Sequence, residues 1–181
     1  DDSLSEALQI RLWLEERDGT RRDLAGTTVR SGERAEVIVG SDKLGAVGPA
    51  TLVAEFAGSP TTQPARRTAA IQRTQRVAIS VAGQVPAADP GSGVELDVAV
   101  GSAGGAVDAG AVEMLVGGKS VGTAPVSAGA ARVSSVFPLP ASGAVSVTLR
   151  YLPEAPWWLA GDPLVLSVPV APPSPRRRLP W

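Results

Sequence analysis

Apolar residues recur at every second position along most of this chain, and that period decides its fold class. In Leu8-Gln9-Ile10-Arg11-Leu12-Trp13-Leu14-Glu15, the leucines and Ile10 share one face, while Gln9, Arg11, Trp13 and Glu15 share the other. A two-residue period belongs to a strand with one buried face. It returns at Val94, Leu96, Val98 and Val100, with Glu95, Asp97 and Ala99 facing out, and at Val112, Met114 and Val116. It returns again at Val145, Val147, Leu149 and Tyr151, and at Leu164, Leu166, Val168 and Val170. Residues 35–39 and 51–57, Val77 with Ile79 and Val81, and Ala131 with Val133 and Phe137 read as further strands. No segment sustains a 3.6-residue period, so the expected fold is all-β with almost no helix.

The connections carry the turn chemistry such a chain needs. Asp18-Gly19 closes the first strand, and Gly117-Gly118 predicts a tight two-residue hairpin into residues 119–126. Residues 58–64 form a Gly/Pro-rich loop. Residues 83–93, Gly-Gln-Val-Pro-Ala-Ala-Asp-Pro-Gly-Ser-Gly, are either an interdomain linker or one long loop.

Composition narrows the chemistry. The 181 residues include no Cys and no His. Disulfides, thiolate nucleophiles, imidazole bases and His- or Cys-held metals are therefore excluded. A net charge of −1 gives no general attraction to nucleic acid. No run of 18 apolar residues spans a membrane. The opening Asp1-Asp2-Ser3, without Met or a signal-peptide pattern, reads as a mature or excised fragment.

Two segments overlay. In residues 51–60 and 146–155, Leu52, Ala54 and Phe56 fall on Val147, Leu149 and Tyr151, and outward Glu55 falls on Arg150. Further upstream, Asp23-Leu24-Ala25-Gly26 resembles Val107-Asp108-Ala109-Gly110. A repeat of this size implies two copies of one β module. The second copy's first strand, near Arg76, has no counterpart before Leu8, so the first copy is expected to be truncated or a strand short.

The second copy resembles a bacterial immunoglobulin-like repeat. The resemblance rests on Gly110-Ala-Val-Glu-Met-Leu-Val-Gly-Gly-Lys-Ser-Val-Gly-Thr-Ala-Pro-Val126, then Ala130-Ala-Arg-Val133, then residues 145–151 ending in Tyr151, with Trp157 six positions on. It covers most of residues 75–170. Residues 7–73 match only at their ends, and Thr62 stands where the loop aromatic would be. Both copies lack the Cys pair and core Trp of antibody-type domains. The resemblance implies two tandem Greek-key sandwiches: residues 1–73, atypical or truncated, and residues 74–170, followed by a Pro/Arg-rich tail at 171–181. It also implies an extracytoplasmic, non-catalytic module that spaces or displays other domains of a longer chain.

Each candidate site has a plain structural reading beside it. Tyr151 ends an inward row and is expected in the core with its hydroxyl tied to backbone. Trp157 and Trp158 are adjacent and point opposite ways. The resemblance packs Trp157 and leaves Trp158 exposed as a platform for a glycan or a partner protein. Trp13 lies on the polar face, either stacked on Arg11 or packed against the second domain. Asp42, Asp89, Asp108 and Asp162 lack calcium-loop spacing, and the glycines precede no helix that could cradle phosphate. No metal or cofactor is expected. Arg176, Arg177, Arg178 and Trp181, after the stiff Pro-rich residues 171–175, are either a basic tail or a juxtamembrane stretch before an anchor beyond residue 181. The expected role is a spacer or stalk; the alternative is an adhesion module using Trp158, Trp157 and Trp13.

Overall fold

The computed structural model describes residues 6–30, 32–88, 93–140 and 143–171. The chain is all-β, with a single 3-10 turn at Ser41–Lys43 as its only helical element among the described residues. It divides into two compact units, Asp1–Thr74 and Gln75–Trp181.

Unit 1 contains β1 (Ala7–Glu15), β2 (Arg21–Arg30), β3 (Gly48–Phe56) and β4 (Ala65–Arg73) in one antiparallel sheet of order β2-β1-β3-β4. The turn after β1 follows the Asp-Gly signal. Gly19 has φ +83°, the Thr20 N–H donates to Asp18 Oδ1 at 2.9 Å, and the Glu16 N–H donates to the Thr20 carbonyl at 2.8 Å. On one face Leu14, Leu24 and Ala50 form a buried cluster, with Leu12, Leu52, Ile71, Val39 and Leu44 packed on it. A sandwich over residues 1–73 needs a second sheet facing this one, and among the described residues of unit 1 there is none. Residues 35–39, read as a strand from their alternation, are extended chain without a ladder partner. β4 escaped the pattern reading because an edge strand rich in Arg and Ala buries little: of its nine residues only Arg73 is buried.

Unit 2 is a two-sheet sandwich. One sheet joins β10 (Ala130–Ser135), β6 (Val94–Ser102), β5 (Gln75–Val81) and β12 (Trp158–Ala160) in that order, with the short β7 (Gly105–Ala106) beside β6. The other joins β13 (Leu164–Val170), β11 (Gly143–Leu152), β8 (Ala111–Val116) and β9 (Lys119–Pro125). The alternation translates directly into burial. In β6, Val94, Leu96, Val98 and Val100 are buried while Glu95, Asp97 and Ala99 are exposed. From the other sheet Val112, Met114, Val147, Leu149 and Val168 are fully enclosed. Gly117 and Gly118, with φ +57° and +77°, make the two-residue turn between Val116 and Lys119, a conformation that needs positive φ at both positions. Residues 83–88 belong to unit 2 and do not link the units: the Ala88 N–H donates to the Pro169 carbonyl, and the Ala171 N–H to the Ala88 carbonyl.

The repeat is correct at β3 and β11 and mistaken upstream. The sheet of unit 1 has the same order and polarity as the β9-β8-β11-β13 sheet of unit 2. Ile10 opposes Phe56 and Leu12 opposes Ala54, as Val112 opposes Tyr151 and Met114 opposes Leu149. Each hairpin even shifts register at the same point, after Leu12 and after Met114. Gly26 and Gly110 are therefore not equivalent, because β2 corresponds to β9 and Gly110 precedes β8.

Candidate interaction surfaces

Trp13 sits on the face of the unit 1 sheet opposite the aliphatic cluster. The register shift after Leu12 brings Asp23, not Leu24, opposite Trp13, and this turns Leu24 into the core. Arg21 lies over the indole with its guanidinium 4.0 Å from the ring centroid, and Arg66 lies 5.6 Å away. Arg21 Nε donates to Asp23 Oδ1 at 2.8 Å, and Arg66 Nη2 to Glu15 Oε2 at 3.1 Å, so both cations are held in place. Trp13 is consequently only 5 % exposed. The stacking partner is Arg21, not Arg11, because Arg11 faces Gly26 and Glu55 across its two neighbours. The ring face that would meet a sugar is occupied.

The Trp157-Trp158 pair reverses the expected assignment. Trp158 is 6 % exposed and Trp157 is half-buried. β12 adds in parallel to β5, with Trp158 beside Gln75, and the Gln75 N–H donates to the Trp157 carbonyl at 2.9 Å. Joining the sheet fixes which side of the strand is interior, and Trp158 takes that side. Gly161 permits the approach: a Cβ there would come within 2.2 Å of the Val77 carbonyl oxygen. Trp158 Nε1 is buried without a hydrogen-bond acceptor among the described residues. Sequence could not reveal this, because β12 is three residues long and lacks an alternating run.

Tyr151 is placed as expected. It is buried, and its hydroxyl donates to the Ala109 carbonyl at 2.7 Å. Gly110, with φ +95°, leaves the room: a Cβ would lie 2.6 Å from the hydroxyl oxygen. Burial, with Asp108 and Glu154 nearby, holds the phenol above its ordinary pKa.

Several carboxylates are held in structural ties. Glu95 and Asp97, on the outward face of β6, both pair with Arg132, at 3.2 and 3.0 Å. They edge an open depression of about 770 Å³ whose other walls include Gln84, Ala87, Ser134 and Val136. Glu113 pairs with Arg150, and hydrogen bonds from Ser120 and Arg150 hold it below the usual carboxylate range. Glu6 accepts from the hydroxyls of Thr61 and Thr62, which pins the 58–64 loop, and hydrogen bonding from Ser59 first, then Thr61 and Thr62, lowers its pKa. Among the described residues no three acidic side chains gather as a metal site. Arg176, Arg177, Arg178 and Trp181 lie outside the described residues.

No family model matches the chain, and no curated protein matches it. Solved structures similar to it include the fibronectin(III)-like modules of CbhA from Clostridium thermocellum. The identity is 11%, the TM-score 0.41, and the match covers 94% of this chain and 81% of that one. The central fibronectin-III array of RIM-binding protein matches at 14% identity and TM-score 0.33, over 94% of this chain and 60% of that one. A Ca2+-stabilized adhesin of an Antarctic bacterium matches at 17% identity and TM-score 0.29, over 93% of this chain and 40% of that one. Likeness of this extent carries nothing about ligand or partner.

Proposed function

We propose that this chain is a non-catalytic structural segment, a spacer or display stalk within a longer bacterial cell-envelope protein. Its place would be extracytoplasmic, with anchorage through sequence beyond residue 181 and with neighbouring domains of the same chain as its partners. One observation carries the reading: the side chains best suited to chemistry or to adhesion are used as internal ties. The Tyr151 hydroxyl is bound to the Ala109 carbonyl, Trp158 is in the interior, and Trp13 lies under Arg21. A stalk needs modules that resist unfolding, and such ties serve that need.

Single-molecule pulling between the two termini tests this. A spacer gives a reproducible unfolding step for unit 2, and the same chain shows no saturable retention on a glycan array. Saturable retention that Trp157→Ala removes would overturn the reading in favour of adhesion, since Trp157 is the tryptophan left half-buried in the 153–158 segment.

A further inference from the structure

Unit 1 matches one sheet of unit 2 residue for residue, and this makes the differences between them informative. In unit 2, Val112, Met114, Val147 and Leu149 are sealed because the β10-β6-β5-β12 sheet lies over them. The equivalent residues of unit 1, Ile10, Leu12, Leu52 and Ala54, are all half-buried. The two ends of that face are buried, one at Leu14, Leu24 and Ala50 beside Val39 and Leu44, the other at Phe56, and the middle between them stays half-open.

The segment between β2 and β3 shows what is missing. Its counterpart between β9 and β11 contains β10, which pairs along its length with β6 and buries Ala131 and Val133. Residues 35–39 have the alternation of a strand. Val37 and Val39 are half-buried, Glu36 is exposed, and Ile38 is 90% exposed. Among the described residues, the backbone of residues 35–39 makes no hydrogen bond. An alternating segment with an open backbone edge, beside an uncovered apolar face, is what a β-strand adds to.

We propose that unit 1 is completed by β-strands of the same polypeptide lying immediately N-terminal to Asp1, the nearest pairing antiparallel with residues 35–39 and covering Ile10, Leu12, Leu52 and Ala54. The register fixes the place. Ser102, the end of β6, stands ten positions ahead of Val112, and ten positions ahead of its equivalent, Ile10, falls just before Asp1. The donor is accordingly a pair of strands with alternating Val/Leu/Ile residues, the inner one filling the place of β6 and the outer one that of β5. The inference concerns how the unit is built and stands apart from the stalk reading.

Hydrogen–deuterium exchange tests it on two chains: residues 1–181, and the natural protein carrying at least 30 further residues upstream. The expected result is free exchange at residues 35–39 in the short chain and exchange slowed about 100-fold or more in the long one, with added protection in β1 and β3. Equal exchange in both chains overturns the proposal, as does a natural protein with no alternating apolar segment there. Protection in the short chain that grows with its concentration also overturns it, by showing that a second copy covers the face.

Discussion

Gly48 and Gly143 hold the same place in two different sheets. Each opens the central strand, opposite the last residue of the outer strand, Arg73 for one and Val170 for the other. Each has positive φ, +115° and +98°. A Cβ added at either position meets nothing within 4 Å, so the requirement is conformational, not steric crowding. Gly48→Ala is therefore expected to destabilise unit 1, and Gly143→Ala unit 2, each by about 1–2 kcal/mol. Urea unfolding followed separately in the two units checks this, and a substitution with no effect on its own unit would refute the shared role.

Arg73 is the buried cation of unit 1. Its Nη1 and Nη2 donate to the two carboxylate oxygens of Glu16 at 2.7 and 2.6 Å, and Nη1 also donates to the Leu44 carbonyl at 2.7 Å. Its Nε donates to the Gly48 carbonyl at 3.3 Å. One planar fork thus joins the turn after β1, the 41–47 segment and the start of β3. Arg73→Ala leaves two carbonyls without their donor and Glu16 with only the longer Arg22 contact at 3.9 Å, and is expected to cost about 3 kcal/mol. Arg73→Lys should recover little of it, because an ammonium cannot reproduce the bidentate geometry. Chemical denaturation of the two variants measures both; full rescue by Lys would show that charge alone matters.

Tyr151 should show its burial on the alkaline side. Its folded pKa is raised by desolvation first, then by Asp108 and Glu154. The unfolded chain loses the phenolic proton near pH 10 while the folded chain keeps it. Stability from this group is thus complete below about pH 10 and is lost as pH rises through the folded value. Tyr151→Phe should remove that alkaline loss while costing about 1 kcal/mol at neutral pH, and Tyr151→Ala should cost about 3–5 kcal/mol. Thermal melts of the three proteins between pH 8 and pH 11 distinguish these outcomes.

Glu113 gives the opposite sign. Ser120 and then Arg150 hold its pKa below the ordinary value. The contribution is present above the unfolded carboxylate pKa, about 4.3, and is lost as pH falls through the lowered folded value. Glu113→Gln should make unit 2 less sensitive to acid below that pH. An unchanged acid profile would show that the Arg150 pair contributes nothing in solution.

How much could be read beforehand follows from how each segment is buried. β1, β6, β8 and β11 were legible because one face is core and the other is wet, which prints a period of two. The Gly117-Gly118 hairpin was legible because its backbone admits few residues. β4 and β12 were not, since an edge strand and a three-residue strand need no apolar alternation. Residues 35–39 carry the alternation and yet lack a partner, so pattern alone cannot report pairing. The tryptophans failed for a related reason: Trp13 lies in a polar row, and only the register shift after Leu12 brings Arg21 and Asp23 to it.

Trp158 is where the structure most changes an expectation drawn from the sequence. As an exposed platform, its removal would leave stability intact. As a buried ring anchoring β12 beside β5, its truncation to Ala should cost about 3–5 kcal/mol. Trp158→Phe keeps most of the packing and removes an indole N–H that has no acceptor among the described residues, so its cost should be markedly smaller. Trp157→Ala, at a half-buried position, should fall between Trp158→Phe and Trp158→Ala. Melting curves of the three variants settle the order, and a Trp158→Ala protein as stable as the parent would return this ring to the surface.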